Sequence, residues 1–361
     1  MFTAIEVENF RNFEALRMEG FQRVNLFAGR NSVGKTALLE ALFLLCGAEN
    51  AEIPVRLNGL RGAQSTEAPL HLLRTILWDP LFHDLAGDKP ATLSAVEKGD
   101  GQHIVELRVR TRSGVVVPLD TSTLAAPDVR SGLDGEHYLE MSVKRPNVHT
   151  VTFEIAASAS GLQIKPPPSA PAFLTVFLTG RRRLTTQEDV QRFGRMEVLK
   201  APYDPVPALQ ILEPRLKLLK TISTGGAASM LYADVGLERL LPLYLVGDGV
   251  GLLASILFAI ADSPHGTVLI DEVESGFHYS VVEKVWSAIA ATADRFDVQI
   301  FATTHSFECI RAAHAAFGAR PSYDLGFYRL DWSNGSSKKI EVVSYDREAL
   351  DASIKADLEV R

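Results

Sequence analysis

The sequence predicts an α/β fold in which a parallel core sheet carries a phosphate-binding loop and a separate β-rich segment forms antiparallel strands. The loop is GRNSVGKT at Gly29–Thr36, which follows a predicted strand and precedes an apolar helical pattern. Strand and helix patterns alternate from about residue 248 to residue 315, and this rhythm is typical of parallel βαβ units. Short alternating runs between about Ala91 and Ile155, separated by turn residues, predict antiparallel hairpins.

The composition allows a large hydrophobic core and argues against several classes of protein. The chain has 361 residues, of which 46% are hydrophobic, so global disorder is not expected. Its two cysteines, Cys46 and Cys309, have no paired spacing, which favours a reducing, cytoplasmic setting over a disulfide framework or a zinc site. The N-terminus has no signal-peptide pattern, and no apolar run reaches the ~18 residues that span a bilayer, so we expect no membrane partner.

The charge balance limits how the chain could contact nucleic acid. The net charge is −7, whereas a protein that wraps DNA over its whole surface is usually basic. Any contact with DNA is therefore expected to be local. The densest basic segment is GRRRL at Gly180–Leu184, for which a solvated or ion-paired strand end is the favoured interpretation over a DNA contact.

The loop at Gly29–Thr36 has the composition needed to hold the phosphates of a nucleotide. Gly29 and Gly34 let successive backbone N–H groups point inward, and the following helix adds the positive end of its dipole. Lys35 supplies a charge to the β- and γ-phosphates, and Thr36 offers a hydroxyl to Mg²⁺. An ordinary glycine turn with a solvated lysine is the alternative. The predicted nucleotide contacts in this segment are Gly29, Arg30, Asn31, Ser32, Val33, Gly34, Lys35, Thr36 and Ala37.

A second candidate segment is TVLIDEVES, in which a predicted buried strand ends at Asp271 and Glu272. A carboxylate at a strand end beside a phosphate-binding loop is how such enzymes hold Mg²⁺. We expect Asp271 to hold the metal through water. We expect Glu272 to orient and deprotonate the attacking water, a role worth roughly 10²–10⁴-fold in rate. The alternative is an acidic pair that caps the following helix.

Two further segments are weaker signals by themselves. FATTHS places His305 at the end of the next predicted strand, where an imidazole can hydrogen-bond a γ-phosphate or the attacking water. A neighbour of a helix cap is the alternative for a lone histidine.

In LVGDGVGLLASI, Gly247, Asp248 and Gly249 precede an apolar helix whose backbone N–H groups can form another anion site. A tight turn that caps a buried helix explains that segment equally well.

The order of these segments resembles that of the ABC-type ATPase head. The opening IEVENFRNFEALRMEGFQRVNLFAGRNSVGKTALLEAL is similar to the N-terminal lobe of RecF, SMC proteins and OLD-family ATPases. LIDEVESGFHYS and QIFATTHSFECI more specifically resemble single-chain, OLD-like AAA-type ATPases of bacteria. The resemblance covers residues 1–45 and about 205–361, and it covers the β-rich middle only by architecture. It implies a P-loop NTPase of the ABC ATPase-like type with a helical subdomain, here without a coiled coil.

The resemblance also implies a role for each segment. Gly29–Thr36 matches the Walker A loop, and Asp271 matches the magnesium-binding aspartate of the Walker B strand. Glu272 matches the catalytic glutamate, and His305 matches the switch histidine, so Lys35, Glu272 and His305 are the expected catalytic residues. In this family the strand before the switch histidine lies between the P-loop strand and the Walker B strand.

The resemblance implies two further nucleotide contacts, which do not lie at the ends of the predicted core strands. Gly247–Gly249 is placed at the signature loop, which touches the γ-phosphate bound by a second subunit. The segment departs from the family pattern because it lacks the serine of that loop. Arg11 and Asn12 lie where related heads touch the nucleotide base or the α-phosphate.

The resemblance implies one split ATPase domain whose cofactors are ATP and Mg²⁺. We expect a homodimer around ATP that controls a separate effector, such as a nuclease or toxin, in bacterial phage defence. A RecF-like repair ATPase that binds DNA is the alternative, and the non-standard signature and the β-rich insertion argue against a transporter subunit. The expected regions are a Walker A lobe (1–90), a β-rich insertion (91–170), a helical region (171–225), a lobe with the signature, Walker B and switch histidine (226–320), and a C-terminal hairpin and helix (321–361).

Overall fold

The contacts of the computed structural model divide the chain into two compact units. Unit 1 comprises Met18–Leu39 and Phe173–Arg361 together with Met1, and unit 2 comprises Phe2–Arg17 and Glu40–Ala172. The structure describes residues 1–61, 74–112, 136–146, 148–158, 161–167, 174–179, 187–199, 203–223, 229–333, 339–356 and 358. The basic segment at Gly180–Leu184 lies outside these residues.

The helices and strands are numbered in chain order. The strands are β1 (Phe2–Phe10), β2 (Phe13–Glu19), β3 (Val24–Gly29), β4 (Ala91–Glu97), β5 (Gly101–Arg112), β6 (Glu136–Lys144), β7 (Val151–Ser158), β8 (Gly161–Lys165), β9 (Thr175–Thr179), β10 (Leu218–Ser223), β11 (Ser229–Asp234), β12 (Leu241–Pro242), β13 (Thr267–Asp271), β14 (Gln299–Thr303), β15 (Leu325–Trp332) and β16 (Ile340–Tyr345). The helices are α1 (Lys35–Cys46), α2 (Ile53–Leu60), α3 (Gln187–Val198), α4 (Val206–Leu209), α5 (Asp248–Ala261), α6 (Val282–Phe296), α7 (Phe307–Gly318) and α8 (Arg347–Lys355).

The core of unit 1 is a six-stranded sheet in the order β16-β15-β3-β14-β13-β9. Neighbouring strands from β9 to β15 are parallel, and β16 pairs with β15 in the antiparallel direction. Strand β14, which precedes His305, therefore lies between β3 and β13. This is the order that the resemblance implied, and the predicted α/β fold with a parallel core sheet is confirmed.

Strand β3 is buried on both of its faces, and this explains its mainly apolar sequence, in which Asn25 is the one polar residue. Every residue of VNLFAG is buried. Leu26 and Ala28 belong to the apolar cluster that includes the buried side chains of α5. Because successive side chains of a strand point to opposite faces, Phe27 lies on the other face, where its ring stacks on that of Phe301 at 6.0 Å between centroids. Burial of each such side chain contributes about 1.5–3 kcal/mol, so both faces stabilise the strand that leads into the GKT loop.

The segment before β13 differs from its sequence-based prediction. The pattern predicts helix from about Thr186 to Leu219 with an interruption near APYDPVP, but α3 ends at Val198, α4 covers only Val206–Leu209 and Leu218–Ser223 is a strand. Prolines at positions 205, 207 and 214 interrupt the helical pattern, because an interior proline removes a helix hydrogen bond. Strand β10 then pairs with β11 in a small antiparallel sheet of order β10-β11-β12. The predicted end of the helix near Leu219 is wrong.

Unit 2 is built on a seven-stranded sheet in the order β2-β1-β4-β5-β6-β7-β8. The pairs from β1–β4 to β7–β8 are antiparallel, and this confirms the β-rich lobe predicted from the alternating runs. Inward-facing positions are apolar, as at Leu107, which pairs with Met141 while both side chains are fully buried. Leu93 and Ile155 extend the same buried layer.

The helices are short. The longest of those in the described ranges is α6 with 15 residues, so this part of the chain contains no long coiled coil. None of these helices combines the length and apolar character that a membrane-crossing helix needs.

Candidate nucleotide-binding site

The predicted strand ends converge at one edge of the core sheet in unit 1. Strand β3 ends at Gly29, β14 at Thr303 and β13 at Asp271, and the three strands are neighbours. The carboxyl ends of parallel strands meet at the same edge, which is where open α/β sheets bind their ligands. The loop before α1 and the acidic end of β13 are thus brought together although they lie far apart in sequence.

The loop between β3 and α1 has the backbone conformation of a phosphate cradle. Gly29, Ser32 and Gly34 have positive φ angles of 145°, 65° and 100°. A Cβ atom on Gly29 would lie 2.3 Å from the carbonyl oxygen of Leu330, so only glycine fits there. Helix α1 begins at Lys35 directly after this turn, and its N-terminal N–H groups are available to an anion.

The side chains of Thr36, Asp271 and Thr303 form a chain of hydrogen bonds. Thr36 Oγ1 donates to Asp271 Oδ2 at 2.9 Å across 235 positions of sequence. Thr303 Oγ1 donates to Asp271 Oδ1 at 2.6 Å and accepts from the backbone N–H of Glu272 at 2.8 Å. Both oxygens of the Asp271 carboxylate are therefore held by hydroxyls. Oxygen atoms of this kind are the donors that Mg²⁺ prefers.

The ammonium group of Lys35 lies within the loop itself. Its Nζ donates to the carbonyl oxygens of Gly29 at 2.6 Å and Arg30 at 3.0 Å. Burial lowers the pKa of Lys35 from its ordinary value, and the negative charges of Asp271, Glu274 and Glu272 oppose that shift. The carboxylates at the end of β13 therefore act electrostatically on the lysine of the loop.

Glu272 has a strained backbone and an exposed side chain. Its φ angle is 54°, a left-handed conformation that costs a non-glycine residue about 1–3 kcal/mol. The hydrogen bond from its N–H to Thr303 helps to hold that conformation. The carboxylate is exposed, and Ser275 Oγ lies 3.4 Å from its Oε2. Asp271 and Glu272 thus differ in environment, as a division between metal holding and proton transfer requires.

His305 follows β14 and pairs with a carboxylate of the β13 segment. The Nδ1 atom of its ring lies 3.1 Å from Glu274 Oε1, and its backbone N–H donates to the same oxygen at 2.9 Å. The His305 side chain is 52% exposed, whereas that of Glu274 is 12% exposed. The imidazole is therefore anchored on one side and open on the other.

The GDG segment (Gly247–Gly249) lies at the start of α5, close to Gly276 in the loop that follows β13. Gly247 precedes the helix with a φ angle of 151°, and Asp248 is exposed in its first turn. A Cβ atom on Gly249 would lie 3.0 Å from the carbonyl oxygen of Gly276. The segment is therefore packed closely against its own chain, and its predicted contact with the nucleotide of another subunit stays a prediction.

Arg11 lies in a buried polar network of unit 2. Its guanidinium donates to Glu40 at 2.9 Å, to Asn58 at 3.0 Å and to the carbonyl oxygen of Pro80 at 2.7 Å. Burial lowers the pKa of Arg11 from its ordinary value, and the Glu40 carboxylate opposes the shift. Asn12 is half-buried in the turn between β1 and β2. The contact of either residue with a nucleotide stays a prediction.

Two residues of this site are absent from the sequence-based prediction. Thr303 links Asp271 to the backbone of Glu272, and Glu274 anchors His305. Both lie within the quoted segments FATTHS and TVLIDEVES. Each lies two positions from a predicted site residue, and this closeness is the only sign of them in the sequence. Their roles depend on contacts between neighbouring strands, which the sequence does not display.

Two family models match the chain, and each is a model of an AAA domain. One, described as "AAA domain, putative AbiEii toxin, Type IV TA system", matches residues 151–310, and one described as "AAA domain" matches residues 4–145. The first range contains the ends of β13 and β14, and the second contains the GKT loop. The matched residues form an AAA-type ATPase domain, and its core strands have the order expected for an ABC-type ATPase head.

Individual proteins resemble the ATPase head to different extents. A protein of Helicobacter pylori named ATP/GTP phosphatase is 21% identical over 86% of each chain. The DNA replication and repair protein RecF of Lactococcus lactis is 48% identical over 42 residues, which is 12% of each chain.

The solved structures that resemble the ATPase head include SMC heads. An SMC head bound to the C-winged helix domain of ScpA has 11% identity and a TM-score of 0.49, and the match covers 96% of this chain and 98% of that one. The SMC head domain from Thermotoga maritima has 12% identity and a TM-score of 0.40, with 96% and 99% covered.

Proposed function

We propose that this ATPase head is a magnesium-dependent switch that binds and hydrolyses ATP, dimerises around it and controls a separate effector. One observation carries the catalytic part of the proposal. The hydroxyl of Thr36 at the start of α1 meets the carboxylate of Asp271 at the end of β13 at 2.9 Å. A phosphate-binding loop and a carboxylate in hydrogen-bond contact are the two halves of a site for a magnesium nucleotide.

The oxygen donors of Thr36 and Asp271 fit a Mg²⁺ ion, and we assign them to hold it. Mg²⁺ is bound in such sites by one or two protein oxygens together with phosphate oxygens and water. When bound, the ion neutralises negative charge on the β- and γ-phosphates. Thr303 keeps the Asp271 carboxylate oriented, because its hydroxyl occupies the second oxygen.

Hydrolysis then uses the groups around the phosphates. The oxygen of a water molecule attacks the γ-phosphorus, the bond to the bridging oxygen breaks, and ADP and phosphate are released. Glu272 accepts the proton of that water, since its carboxylate is exposed and its backbone is fixed by Thr303. Lys35 exchanges its bonds to the carbonyls of Gly29 and Arg30 for the phosphate oxygens, and the open side of His305 meets the γ-phosphate.

Dimerisation makes ATP part of an interface. In the proposed dimer, Gly247–Gly249 of each subunit completes the site of the other. ATP binding then favours the closed arrangement and hydrolysis favours the open one, because a ligand shifts a population toward the state that binds it better. A protein with this cycle is a switch, and its output must pass to another molecule.

The effector is proposed to be a toxin or nuclease of a bacterial defence system. The support is the description of the family model that matches residues 151–310, which names the AbiEii toxin and a type IV TA system. The second candidate is a DNA-binding repair ATPase, which the local similarity to RecF favours. The net charge of −7 weighs against this candidate, because DNA binding depends on cationic contacts to phosphates.

The test compares two variants of the native protein. Lys35→Ala should bind no ATP, and Glu272→Gln should bind ATP with a turnover that is roughly 10²–10⁴-fold lower. Glu283 is an exposed glutamate on α6, and Glu283→Gln is the matched control. This variant should leave both ATP binding and turnover unchanged. Wild-type turnover in Glu272→Gln would refute the assignment of the base.

The same variants test the partner. Each variant is purified by affinity in the presence of ATP, and the proteins that bind to it are identified by mass spectrometry. Glu272→Gln should retain a stoichiometric partner protein, and Lys35→Ala should lose it. DNA-stimulated hydrolysis that falls steeply with salt, without any such companion, would favour the repair ATPase instead.

A further inference from the structure

We infer that Glu274 is a positioning residue that fixes the orientation and tautomer of His305 for ATP hydrolysis. The inference rests on the proposed function, in which His305 meets the γ-phosphate. Glu274 would thus be a third functional acidic residue of this segment, two positions after Glu272 in the pair Asp271 and Glu272. Glu274 itself does not need to touch the nucleotide.

Two contacts and the burial of the carboxylate support this assignment. Glu274 Oε1 accepts the backbone N–H of His305 at 2.9 Å and lies 3.1 Å from Nδ1 of its ring. One carboxylate oxygen therefore fixes both the start of the His305 segment and the rotation of its imidazole. The carboxylate is 12% exposed, so water competes little for these bonds.

The chemistry of the imidazole follows from this pairing. A carboxylate oxygen can only accept, so its position 3.1 Å from Nδ1 favours a proton on Nδ1 and leaves Nε2 for other partners. In the neutral ring Nε2 can accept from the attacking water, and in the protonated ring it can donate to a phosphate oxygen. The ring is 52% exposed, which leaves room for such a partner.

The second oxygen of Glu274 links this pair to the rest of the site. Glu274 Oε2 is buried and has no hydrogen-bond partner among the described residues. A buried acceptor without a partner destabilises the fold, so stability alone does not explain this carboxylate. Its negative charge also acts on Lys35 of the phosphate-binding loop. The carboxylate therefore contacts His305 and acts electrostatically on Lys35.

The first test reads the tautomer directly and needs no nucleotide. Long-range ¹H–¹⁵N NMR spectra of protein labelled at histidine distinguish Nδ1–H from Nε2–H rings, and His305→Gln assigns the signal among the nine histidines. Wild type and Glu274→Gln, which keeps an acceptor oxygen, should have the Nδ1–H form. Glu274→Ala should shift His305 to the Nε2–H form, and Glu308→Gln on α7 should not. An unchanged tautomer in Glu274→Ala would overturn the inference.

The second test is a double-mutant cycle on hydrolysis. Glu274→Ala should lower kcat by about 10- to 100-fold, the range found for groups that orient a metal-bound imidazole. In a His305→Gln background the same change should alter kcat less than about twofold, because residues that act as a unit are not additive. Equal losses in both backgrounds would overturn the inference. If Glu274→Ala does not fold, Glu274→Gln serves in the cycle, with a smaller loss that must still vanish without His305.

Failure of the proposed function gives a different result. Full ATP hydrolysis in Lys35→Ala and Glu272→Gln would refute the catalytic site, whereas the NMR test without nucleotide would still report whether Glu274 sets the tautomer of His305.

Discussion

At the scale of single residues, the site depends on carboxylates whose atoms are individually held. Asp271 accepts a hydroxyl on each oxygen, and the Glu274 carboxylate holds His305. Such supporting contacts matter because a catalytic group contributes only in its productive geometry. Thr303 is the most central of them, because its hydroxyl joins Asp271 to the strained backbone of Glu272.

Thr303→Val should therefore damage both stability and hydrolysis. The side chain is fully buried, and valine keeps its shape but leaves Asp271 Oδ1 and the N–H of Glu272 without their partner. We expect the free energy of unfolding to fall by about 1–3 kcal/mol. Urea denaturation measures this loss, and steady-state hydrolysis should fall with it. Thr303→Ser keeps the hydroxyl and should behave much like wild type, so equal effects of valine and serine would contradict the role of the hydroxyl.

Arg11→Met should act first on the stability of unit 2. The Arg11 side chain is 4% exposed and that of Glu40 is 1% exposed, so removal of one partner leaves buried polar groups without their bonds. We expect a loss of about 3 kcal/mol in the free energy of unfolding. Arg61, which also pairs with Glu40 but is 43% exposed, is the matched control, and Arg61→Met should cost about 1 kcal/mol or less.

The same Arg11 variant tests the predicted contact with the nucleotide. At temperatures where Arg11→Met is folded, calorimetry should give a weaker Kd for ATP if the guanidinium also touches the base or the α-phosphate. An unchanged Kd together with the loss of stability would assign Arg11 to the fold alone.

At the scale of elements, the sequence could predict those that depend on local signals. The GKT loop, its helix and the βαβ rhythm are fixed by neighbouring residues, and the structure contains them as β3, α1 and β13 to α7. The predicted helix extends into the first two residues of strand β10, because this strand is stabilised by its pairing with β11, which no local pattern encodes. Thr303 and Glu274 were missed for the same reason, since their partners lie on other strands.

Gly249→Val should disturb the packing between two loops of one subunit. Its Cβ atom would lie 3.0 Å from the carbonyl oxygen of Gly276, which is backbone and cannot rotate away. We expect a loss of about 1–3 kcal/mol in thermal or chemical unfolding, as for other overpacked positions. Gly251 is the matched control, because a Cβ atom there meets nothing within 4 Å. Gly251→Ala should be neutral or stabilising by up to about 1 kcal/mol, and an equal loss at both positions would contradict the packing argument.

At the scale of the whole molecule, the proposed switch depends on a second copy of the chain. A ligand moves a two-state equilibrium only by its difference in affinity for the two states, so a dimer controlled by ATP must bind ATP better than the monomer does. Sequence motifs could predict which residues meet within a subunit. They could not determine the assembly, because it depends on surfaces that each subunit presents to its neighbour.

The dimer should form only when ATP is bound and not hydrolysed. In sedimentation velocity experiments with ATP and Mg²⁺, Glu272→Gln should be a dimer, and with ADP it should be a monomer. Lys35→Ala should be a monomer with either nucleotide. Gly251→Tyr in the Glu272→Gln background is the sharpest variant, because it adds bulk near the start of α5 at a position where a Cβ atom meets nothing within 4 Å. We expect it to bind ATP and to unfold normally but to remain a monomer. A dimer of this variant that is as stable as that of Glu272→Gln would place the interface elsewhere on the molecule.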